Sequence, residues 1–337
     1  MSFPKLLGLV TVLLFSSIFV AALLKGGKNK GENKQIVANS SPVAIVLDNQ
    51  VAEVVEGEAV FNDNASETLV QKKMTRDEDL PYADRINELF NTAEPKLPFV
   101  ETISYTSRVP WIKGRPAWIA DYAAHFKTSR YFISRSLSRA KNYFAQNIVN
   151  GDRFNIFNKD KDFSFHLVVD ISRSKLWFYA YDHDKEEKTL LRTYEVGLGR
   201  LDEHLPSGSL TPLGTYSFGN RVAIYKPGIK GFFNHKKVEM IRVFGSRWIP
   251  FEEEIYGCTA PAKGMGIHGL PWGENEKTGK LEEDQSSIGM YESDGCIRLK
   301  TDDIEELYSI VITQPTYIHL VADFFDAKLP GLGKASK

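Results

Sequence analysis

The residues of this chain most able to do covalent chemistry are Cys296 and His268. Cys296 lies in "ESDGCIRLK" and His268 in "GMGIHG". A cysteine thiol with its usual pKa of about 8.5 is mostly protonated at neutral pH, so a nucleophilic cysteine needs a base or a cation beside it. Side-chain alternation in a strand puts Met265 and Ile267 on one side of "GMGIHG" and His268 on the other. The pattern favours His268 as the base for a Cys296 nucleophile.

A structural interpretation of the same residues stays open at this point. The other cysteine is Cys258, in "IYGCTAP", and a disulfide between Cys258 and Cys296 would suit an exported chain. A single strand histidine such as His268 is also often an ordinary packed residue.

The spacing of the remaining residues does not favour other kinds of site. "GMGIHG" has the glycine spacing of a dinucleotide-binding turn, but Pro271 and two further glycines follow, and no helix can begin there. The sequence contains no Walker loop, no H-E-x-x-H and no paired C-x-x-C, and its seven histidines lack the spacing of metal ligands. We therefore expect neither a metal ion nor another cofactor.

The elements that must position Cys296 and His268 are predicted to be mostly strands. Short runs rich in aromatic and β-branched residues begin at Phe163, and "SRS" joins "FHLVVDI" to "KLWFYAYD" as a hairpin. Near the end, "TDDIEELYSIV" predicts a helix with Thr301 as its N-cap, and "TYIHLVAD" predicts a closing strand. The fold class expected is mostly β (α+β), in a domain over residues 163–325 that a tail over residues 326–337 follows.

Three segments are predicted before this domain. The uncharged stretch from Leu6 to Leu24 is long enough to span a hydrocarbon core of roughly 30 Å, which predicts an uncleaved transmembrane signal anchor over residues 1–25. Residues 26–92 contain too little apolar surface to fold alone, which predicts a flexible tether. Residues 93–162 are predicted to be a basic helical region, because apolar residues recur at helical spacing between positions 116 and 150.

Charge limits the classes of partner. The 337-residue chain has a net charge of -1, which argues against nucleic acid or a membrane surface as a bulk partner. From Arg108 to Arg153, however, nine Lys or Arg residues face two acidic residues. Such an excess can steer a protein to an anionic polymer, although it more often solvates the outer face of a helix.

The order of several motifs resembles the L,D-transpeptidases with a YkuD-type catalytic domain. "IHG" followed by "SDGCIRL" resembles that family's histidine strand and its S/T-H-G-C-x-R/N signature, and "TPLGTYSFG" resembles its T-P-x-G-x-F/Y segment. "HLVVDISRSKLWFYAYD" resembles the opening hairpin of the domain. The resemblance covers residues 163–325 and implies a β-sandwich-like fold.

By this resemblance, Cys296 is the nucleophile and His268 is the general base. Main-chain N–H groups around Gly295 and Cys296 would form the oxyanion hole, and Gly295 has no Cβ to obstruct a tight turn or a close substrate. The other positions carried over to the substrate site are Ser293, Asp294, Arg298 and Gly269.

The reaction implied by the resemblance is acyl transfer in bacterial peptidoglycan, with roles in cell wall organisation and cell shape. The thiolate attacks the carbonyl of the diamino acid in a tetrapeptide stem and expels D-alanine. An amine then resolves the thioester and forms a 3–3 cross-link or attaches a protein. With water as the acceptor the protein would be an L,D-carboxypeptidase, and a non-catalytic wall-binding domain is the rival class. The expected location is the cell envelope, with the anchor in the inner (cytoplasmic) membrane and the catalytic domain in the periplasm or extracellular.

The sequence departs from the family pattern at two places. His268 and Cys296 lie 28 residues apart, more than is usual, and the polar excess "WGENEKTGKLEEDQSS" predicts an inserted surface loop or lid. Asp294 replaces the family's second histidine, and a carboxylate near Cys296 disfavours the thiolate. Asp294 is expected either to pair with the ammonium of the diamino acid or to cap the local turn.

Two further sets of residues have open roles. Arg298 would either anchor a carboxylate of the stem peptide or brace the site. The aromatic residues that are candidates for lining a substrate groove are Tyr225, Trp248, Trp272 and Tyr291.

Overall fold

The computed structural model describes residues 77–93, 95–138 and 148–330. The predicted anchor over residues 1–25, most of the predicted tether and the end of the tail lie outside the described residues. Within the described residues, no helix combines the length and the apolar character needed to cross a bilayer.

The described chain consists of many short strands and a few helices. The strands are β1 (Val100–Ser104), β2 (Arg153–Phe157), β3 (Phe163–Asp170), β4 (Lys175–Asp182), β5 (Glu187–Glu195), β6 (Leu198–Gly199), β7 (Gly214–Phe218), β8 (Ala223–Ile224), β9 (Lys230–Phe233), β10 (Lys236–Glu239), β11 (Arg247–Tyr256), β12 (Gly266–Gly269), β13 (Trp272–Glu274), β14 (Leu281–Glu283), β15 (Tyr291–Ser293), β16 (Ile297–Leu299) and β17 (Thr316–Val321). The helices are α1 (Asn87–Phe90), α2 (Ile119–His125), α3 (Arg130–Ser138), α4 (Ile241–Phe244) and α5 (Thr301–Val311).

A curled nine-stranded sheet forms the centre of the fold. Its strand order is β16-β12-β11-β7-β17-β3-β4-β5, and β8 also pairs with β11. The β12–β16 and β17–β3 pairs are parallel, whereas β3 and β4 form the predicted antiparallel hairpin with Asp170 opposite Lys175. The prediction of a mostly β fold is confirmed.

Both faces of the hairpin β3–β4 are covered, which explains why its sequence is apolar almost throughout. Phe165, Leu167 and Val169 belong to the main core with residues of α5. Val168 and Trp177 point to the opposite face, where Leu329 and its neighbours pack on them. A strand that is buried on both sides reads as a continuous apolar run instead of an alternating one.

Helix α5 begins one residue earlier than the sequence predicts. Its N-cap position is Lys300, and the Thr301 N–H donates to the carboxylate of Glu283 in β14. The helix N-terminus is therefore satisfied by an acid from the predicted insertion instead of by the Thr301 side chain. An acidic group is favourable there because the first N–H groups of a helix carry partial positive charge.

Residues 93–162 differ from the predicted helical region. The strands β1 and β2 pair antiparallel, and α2 and α3 pack on them around a core that includes Tyr122, Ile133 and Phe154. The chain is not one helix from 116 to 150, because it leaves α2 at Lys127 with φ +48 and the buried Thr128 hydroxyl accepts the Phe157 N–H at 2.9 Å. Residues 139–147 lie outside the described residues.

The predicted tether also differs from the structure at its C-terminal end. Residues 77–92 are folded, and Ile86, Leu89 and Phe90 are buried in the main core. The Trp177 indole donates to the Pro81 carbonyl at 2.7 Å. These three apolar side chains stand in a polar stretch, and their burial against the sheet was not visible from composition.

A chain of polar side chains lies on the second face of the central sheet, where Ser164, His166 and His319 are buried. Ser164 Oγ is 2.9 Å from both His166 Nε2 and His183 Nε2. His166 Nδ1 is 3.0 Å from His319 Nε2, and His319 Nδ1 is 3.1 Å from Thr215 Oγ1. Burial, with the neighbouring histidines adding to it, lowers the pKa of His166 to about 3, and burial lowers the pKa of His319 to about 4. Both rings are therefore neutral in the folded protein.

This network predicts a loss of stability in mild acid. The unfolded histidines bind protons below their ordinary pKa of about 6.5, while the buried rings do not, so stability is complete above that pH and falls as the pH is lowered toward 4. At pH 5 each histidine should cost on the order of 2 kcal/mol of unfolding free energy relative to pH 7.5. Urea unfolding at both pH values measures the drop.

A double variant, His166→Gln with His319→Asn, tests whether the network is the cause. It should lose less stability between pH 7.5 and 5 than the wild type loses. His204→Gln, at an exposed histidine, serves as the matched control and should keep the full drop. An equal drop in all three proteins would contradict the assignment.

Candidate active site

Two adjacent parallel strands bring His268 and Cys296 to one face of the sheet. In the register of β12 and β16, Ile267 lies opposite Ile297 and His268 opposite Arg298. Ile267 and Ile297 are fully buried in the core, so alternation turns His268 and Arg298 to the other face. Cys296 directly precedes β16 and, being two residues from Arg298, shares that face. The pairing predicted from the sequence is thus compatible with the strand geometry.

The imidazole of His268 has a defined tautomer. Its Nδ1 lies 2.7 Å from the Gly269 carbonyl oxygen, and since a carbonyl can only accept, Nδ1 carries the hydrogen. Nε2 consequently holds the lone pair. Burial lowers the pKa of His268 to about 4, although the carbonyls of Gly269 and Phe244 favour the protonated ring. The histidine is a neutral base at neutral pH.

Aromatic rings enclose His268. The Phe244 ring meets it edge to face at 5.3 Å, and Trp248, which lies opposite His268 in the register of β11, is 5.9 Å away. Tyr225 packs 6.1 Å from Phe244. Of the predicted groove aromatics, Trp248 and Tyr225 therefore lie at or beside the histidine.

The other two predicted groove aromatics have structural hydrogen bonds. The Tyr291 hydroxyl donates to the Ile171 carbonyl at 2.6 Å, and the Trp272 indole donates to Thr301 Oγ1 at 3.3 Å. These contacts tie β15 to the hairpin turn after β3 and tie β13 to the start of α5.

Cys296 is a half-buried free thiol. Removal from water raises its pKa to about 12, while the Gly266 backbone and the charge of Arg298 lower it and the charge of Asp294 raises it further. The thiol lies 3.7 Å from the Gly264 carbonyl. Because the cysteine pKa is far above the histidine pKa, the resting pair is a neutral thiol and a neutral imidazole.

The turn before Cys296 depends on Gly295. Its φ is +113°, and a Cβ there would stand 2.7 Å from the Leu210 carbonyl oxygen and 2.9 Å from the Met265 methyl group. The Gly295 N–H donates to Ser293 Oγ at 3.1 Å, and the Ser293 hydroxyl donates to the Cys296 carbonyl at 2.6 Å. Ser293 thus holds the turn, and the Gly295 N–H that the resemblance assigns to an oxyanion hole bonds within it.

Thr211 is a structural residue of the site that sequence reasoning did not single out. Its hydroxyl donates to the Gly295 carbonyl at 3.0 Å and accepts the Gly199 N–H at 2.8 Å. It belongs to the "TPLG" segment that carried part of the resemblance. The fully buried hydroxyl links that segment to the turn before the cysteine.

Asp294 forms an ion pair with Arg200, which sequence reasoning missed. Arg200 Nη2 lies 2.7 Å from Asp294 Oδ1, and both side chains are about half exposed. The Arg200 N–H donates to the Ser293 carbonyl at 2.9 Å, in continuation of the parallel pairing of β6 with β15. Since the two residues are far apart in the sequence, no local signal indicated the pair.

Arg298 lies beside the thiol with unused hydrogen-bonding capacity. Its Nε is buried and has no hydrogen-bond partner within the described residues. Burial lowers the pKa of the guanidinium, and Glu292, Cys296 and Asp294 oppose that shift. An arginine whose role was to brace the site would be expected to have this donor satisfied.

The structure shows Cys258 as a free thiol and the predicted insertion as a hairpin. Cys258 is a free thiol that donates to the Thr215 carbonyl at 3.1 Å, so the alternative disulfide is not formed. The insertion is an ordered hairpin of β13 and β14, and Glu274 pairs with Arg242 at 2.9 Å.

Comparison with known proteins finds a family model that matches this domain. Residues 164–318 match the YkuD family model, described as the L,D-transpeptidase catalytic domain. Among solved structures, the chain is similar to the helical cell shape determining protein Pgp2 from Campylobacter jejuni, at 19% identity and a TM-score of 0.31, over 48% of this chain and 49% of that chain. No curated protein matches the chain.

Two further solved structures are similar over comparable lengths. Bd1075 from Bdellovibrio bacteriovorus is 16% identical with a TM-score of 0.32, over 47% of this chain and 48% of that chain. An L,D-transpeptidase from Xylanimonas cellulosilytica is 13% identical with a TM-score of 0.26, over 47% of this chain and 60% of that chain. The chain thus spans about half the length of the first solved structures that it matches.

Proposed function

We propose that the protein is a peptidoglycan L,D-transpeptidase with Cys296 as nucleophile and His268 as general base, since residues 164–318 match the model of the YkuD-type L,D-transpeptidase catalytic domain. The observation that carries the proposal is the register of β12 and β16, which turns His268 and Arg298 to one face, and alternation brings Cys296, two residues before Arg298, to that face as well. The Gly269 carbonyl supports it further, because it leaves His268 Nε2 as the basic nitrogen.

The first half of the reaction acylates the enzyme. The Cys296 thiol gives its proton to His268 Nε2 as the sulfur attacks the carbonyl of the diamino acid at the third position of a tetrapeptide stem. The tetrahedral intermediate then collapses, its bond to the terminal D-alanine breaks, and the leaving amine takes the proton from the imidazolium. The products are a thioester on Cys296, neutral His268 and free D-alanine.

The second half of the reaction transfers the acyl group. The side-chain amine of a neighbouring stem attacks the thioester and gives a proton to His268, the carbon–sulfur bond breaks, and the sulfur recovers the proton. The product is a 3–3 cross-link. A protein amine as acceptor would attach that protein to the wall, and water would make the enzyme an L,D-carboxypeptidase.

The Cys296 thiolate and the His268 imidazolium that the reaction requires form in a site that is partly shielded from water. Burial raises the pKa of the thiol and lowers that of the imidazole, so the ion pair is disfavoured until substrate arrives. Arg298 is the cation beside the sulfur, and its unsatisfied Nε supports a role in binding substrate anions instead of bracing the site. It is suited to a stem carboxylate or to the developing oxyanion.

The ion pair of Arg200 with Asp294 supports recognition of a zwitterionic group. It presents one cation and one anion on the surface next to the turn of Cys296. The side-chain end of diaminopimelate carries an ammonium and a carboxylate, which can pair with Asp294 and Arg200 respectively. Half-exposed pairs of this kind contribute only about 0–1 kcal/mol, so exchanging partners costs little.

The proposed location is the cell envelope, because the polymer lies outside the cytoplasmic membrane. The predicted anchor over residues 1–25 would hold the chain in the inner membrane with the catalytic domain facing the periplasm or the exterior. Membrane fractionation of the full chain, with a variant lacking residues 1–25 as control, tests this location.

Covalent labelling tests the nucleophile. A carbapenem contains a strained acyl group that an active cysteine opens, so intact mass after incubation should show one adduct on the wild type and none on Cys296→Ala. Cys258→Ala should still form the adduct. Muropeptide analysis with tetrapeptide substrates then separates cross-linked from hydrolysed products.

An adduct on Cys296→Ala would remove the nucleophile assignment. A wild type that binds peptidoglycan but forms neither adduct nor product would favour the non-catalytic wall-binding class. The unfolding midpoint of each variant must match that of the wild type.

Stems that differ in their diamino acid test whether Asp294 and Arg200 pair with the ammonium and the carboxylate of diaminopimelate. Asp294→Asn should raise KM for stems with diaminopimelate and for stems with lysine, because both carry the ammonium. Arg200→Met should raise KM only for diaminopimelate, because lysine lacks the second carboxylate. We expect increases of up to about fivefold, as for partly exposed charge pairs worth at most about 1 kcal/mol. Equal effects of Arg200→Met on both substrates would refute the pairing.

A further inference from the structure

An exposed aromatic patch lies on the folded region that precedes the YkuD-type domain. Trp118 is 58% exposed and Trp111 is 37% exposed, and both belong to the loop and helix start that β1, β2, α2 and α3 support. These residues fall outside the family match over residues 164–318. Contiguous exposed apolar patches mark interaction sites, whereas single exposed apolar residues are ordinary.

The loop that carries the patch is fixed in place. The Tyr105 hydroxyl donates to the Ala117 carbonyl at 2.6 Å, and the Ala117 N–H donates to the Ser107 carbonyl at 2.8 Å. Trp111 stacks on His125 with the rings nearly parallel and 4.0 Å apart. Hydrogen bonds therefore hold the loop in place, and His125 covers one face of the Trp111 indole.

The two tryptophans lie around a common residue, Tyr122. Trp111 meets the Tyr122 ring edge to face at 5.6 Å. Trp118 is one helical turn before Tyr122, whose N–H donates to the Trp118 carbonyl at 3.2 Å. Trp111 and Trp118 thus adjoin the same residue, Trp111 through the Tyr122 ring and Trp118 through the helix backbone.

Basic side chains border this surface. Arg115 lies 5.8 Å from the Trp118 ring, and Asp121 holds its guanidinium through two hydrogen bonds of 2.6 and 2.7 Å. Arg108 and Lys113 are exposed on the same loop. The patch thus combines flat apolar faces with positive charge, in a region with nine basic and two acidic residues between positions 108 and 153.

We propose that the patch of Trp111, Arg115 and Trp118 binds the glycan strand of the wall polymer. Pyranose rings present apolar C–H faces that stack on indole rings, and the acid groups along the polymer suit the basic border. The inference rests on the proposed function for the identity of the polymer. Its consequence is that the patch retains the polymer near the active site and raises the effective concentration of stem peptides.

Co-sedimentation with purified sacculi tests the proposal. All proteins carry Cys296→Ala, so that the polymer is not altered during the measurement. The added pair Trp111→Ala and Trp118→Ala should weaken binding by at least about fivefold, because exposed tryptophans dominate such interfaces. Tyr82→Ala is the matched control, since Tyr82 is 81% exposed and lies outside the patch. Peptide-free glycan strands should compete with the sacculi.

Defined outcomes overturn the proposal. The first is that the double tryptophan variant binds sacculi as well as the control does. The second is that glycan strands do not compete with sacculi. The third is that the double variant loses as much binding to anionic lipid vesicles as it loses to sacculi. Trp118→Ala alone is measured as well, because Trp111 also packs on His125 and the double variant must match the control in its unfolding midpoint.

The result of the sacculus-binding test can be distinguished from the result of the carbapenem test of the proposed function. With Cys296 intact, the patch variants should form the carbapenem adduct as fast as the wild type, because the adduct needs no glycan. Normal labelling with weak sacculus binding supports both proposals. Absence of labelling in every variant, with patch-dependent binding retained, would leave the patch as a binding site and remove the transpeptidase.

Discussion

The hydrogen bond from His268 Nδ1 to the Gly269 carbonyl is the constraint on which the proposed chemistry depends. It fixes the tautomer of a ring that is almost completely buried, and it leaves Nε2 as the basic atom. The bond can form because β12 is held on both sides, by β11 and by β16. Ile267 and Ile297 anchor these strands in the core, and the same register turns Arg298, two residues after Cys296, to the face of the imidazole.

Burial gives the site a resting state without charges on either reacting group. A dry environment disfavours both the thiolate and the imidazolium, so the thiol pKa rises to about 12 and the histidine pKa falls to about 4. Such a pair is protected from adventitious oxidation and alkylation, because only a thiolate reacts readily. In the proposed reaction the bound substrate, and Arg298 beside the sulfur, supply the stabilisation that ionisation needs.

Local motifs indicated His268 and Cys296 as candidates, whereas the contacts that other segments and the backbone make with them had no signal in the sequence. Alternation in "GMGIHG" and the order of the motifs indicated His268 and Cys296, and their catalytic roles stay a prediction. Arg200 approaches Asp294 only because β6 pairs with β15, and this pairing has no local signal. The Gly269 carbonyl is a backbone group, so no residue type reports its role.

The same distinction holds for the fold. The central strands were predictable because long apolar runs and turn residues mark them, as in the hairpin β3–β4. The strands β1 and β2 escaped prediction because helical spacing in the residues between them dominated the pattern. The short helix α1 was hidden in a polar stretch, and its apolar residues become a core segment only against the sheet.

The rate of alkylation of Cys296 by iodoacetamide, resolved by peptide mass spectrometry, tests the neutral pair most directly. For a thiol with a pKa near 12, the account predicts a rate that rises about tenfold per pH unit from pH 6 to 9. A rate that is already high at pH 6 and constant to pH 9 would contradict it, because that profile requires a thiolate–imidazolium pair in the free protein.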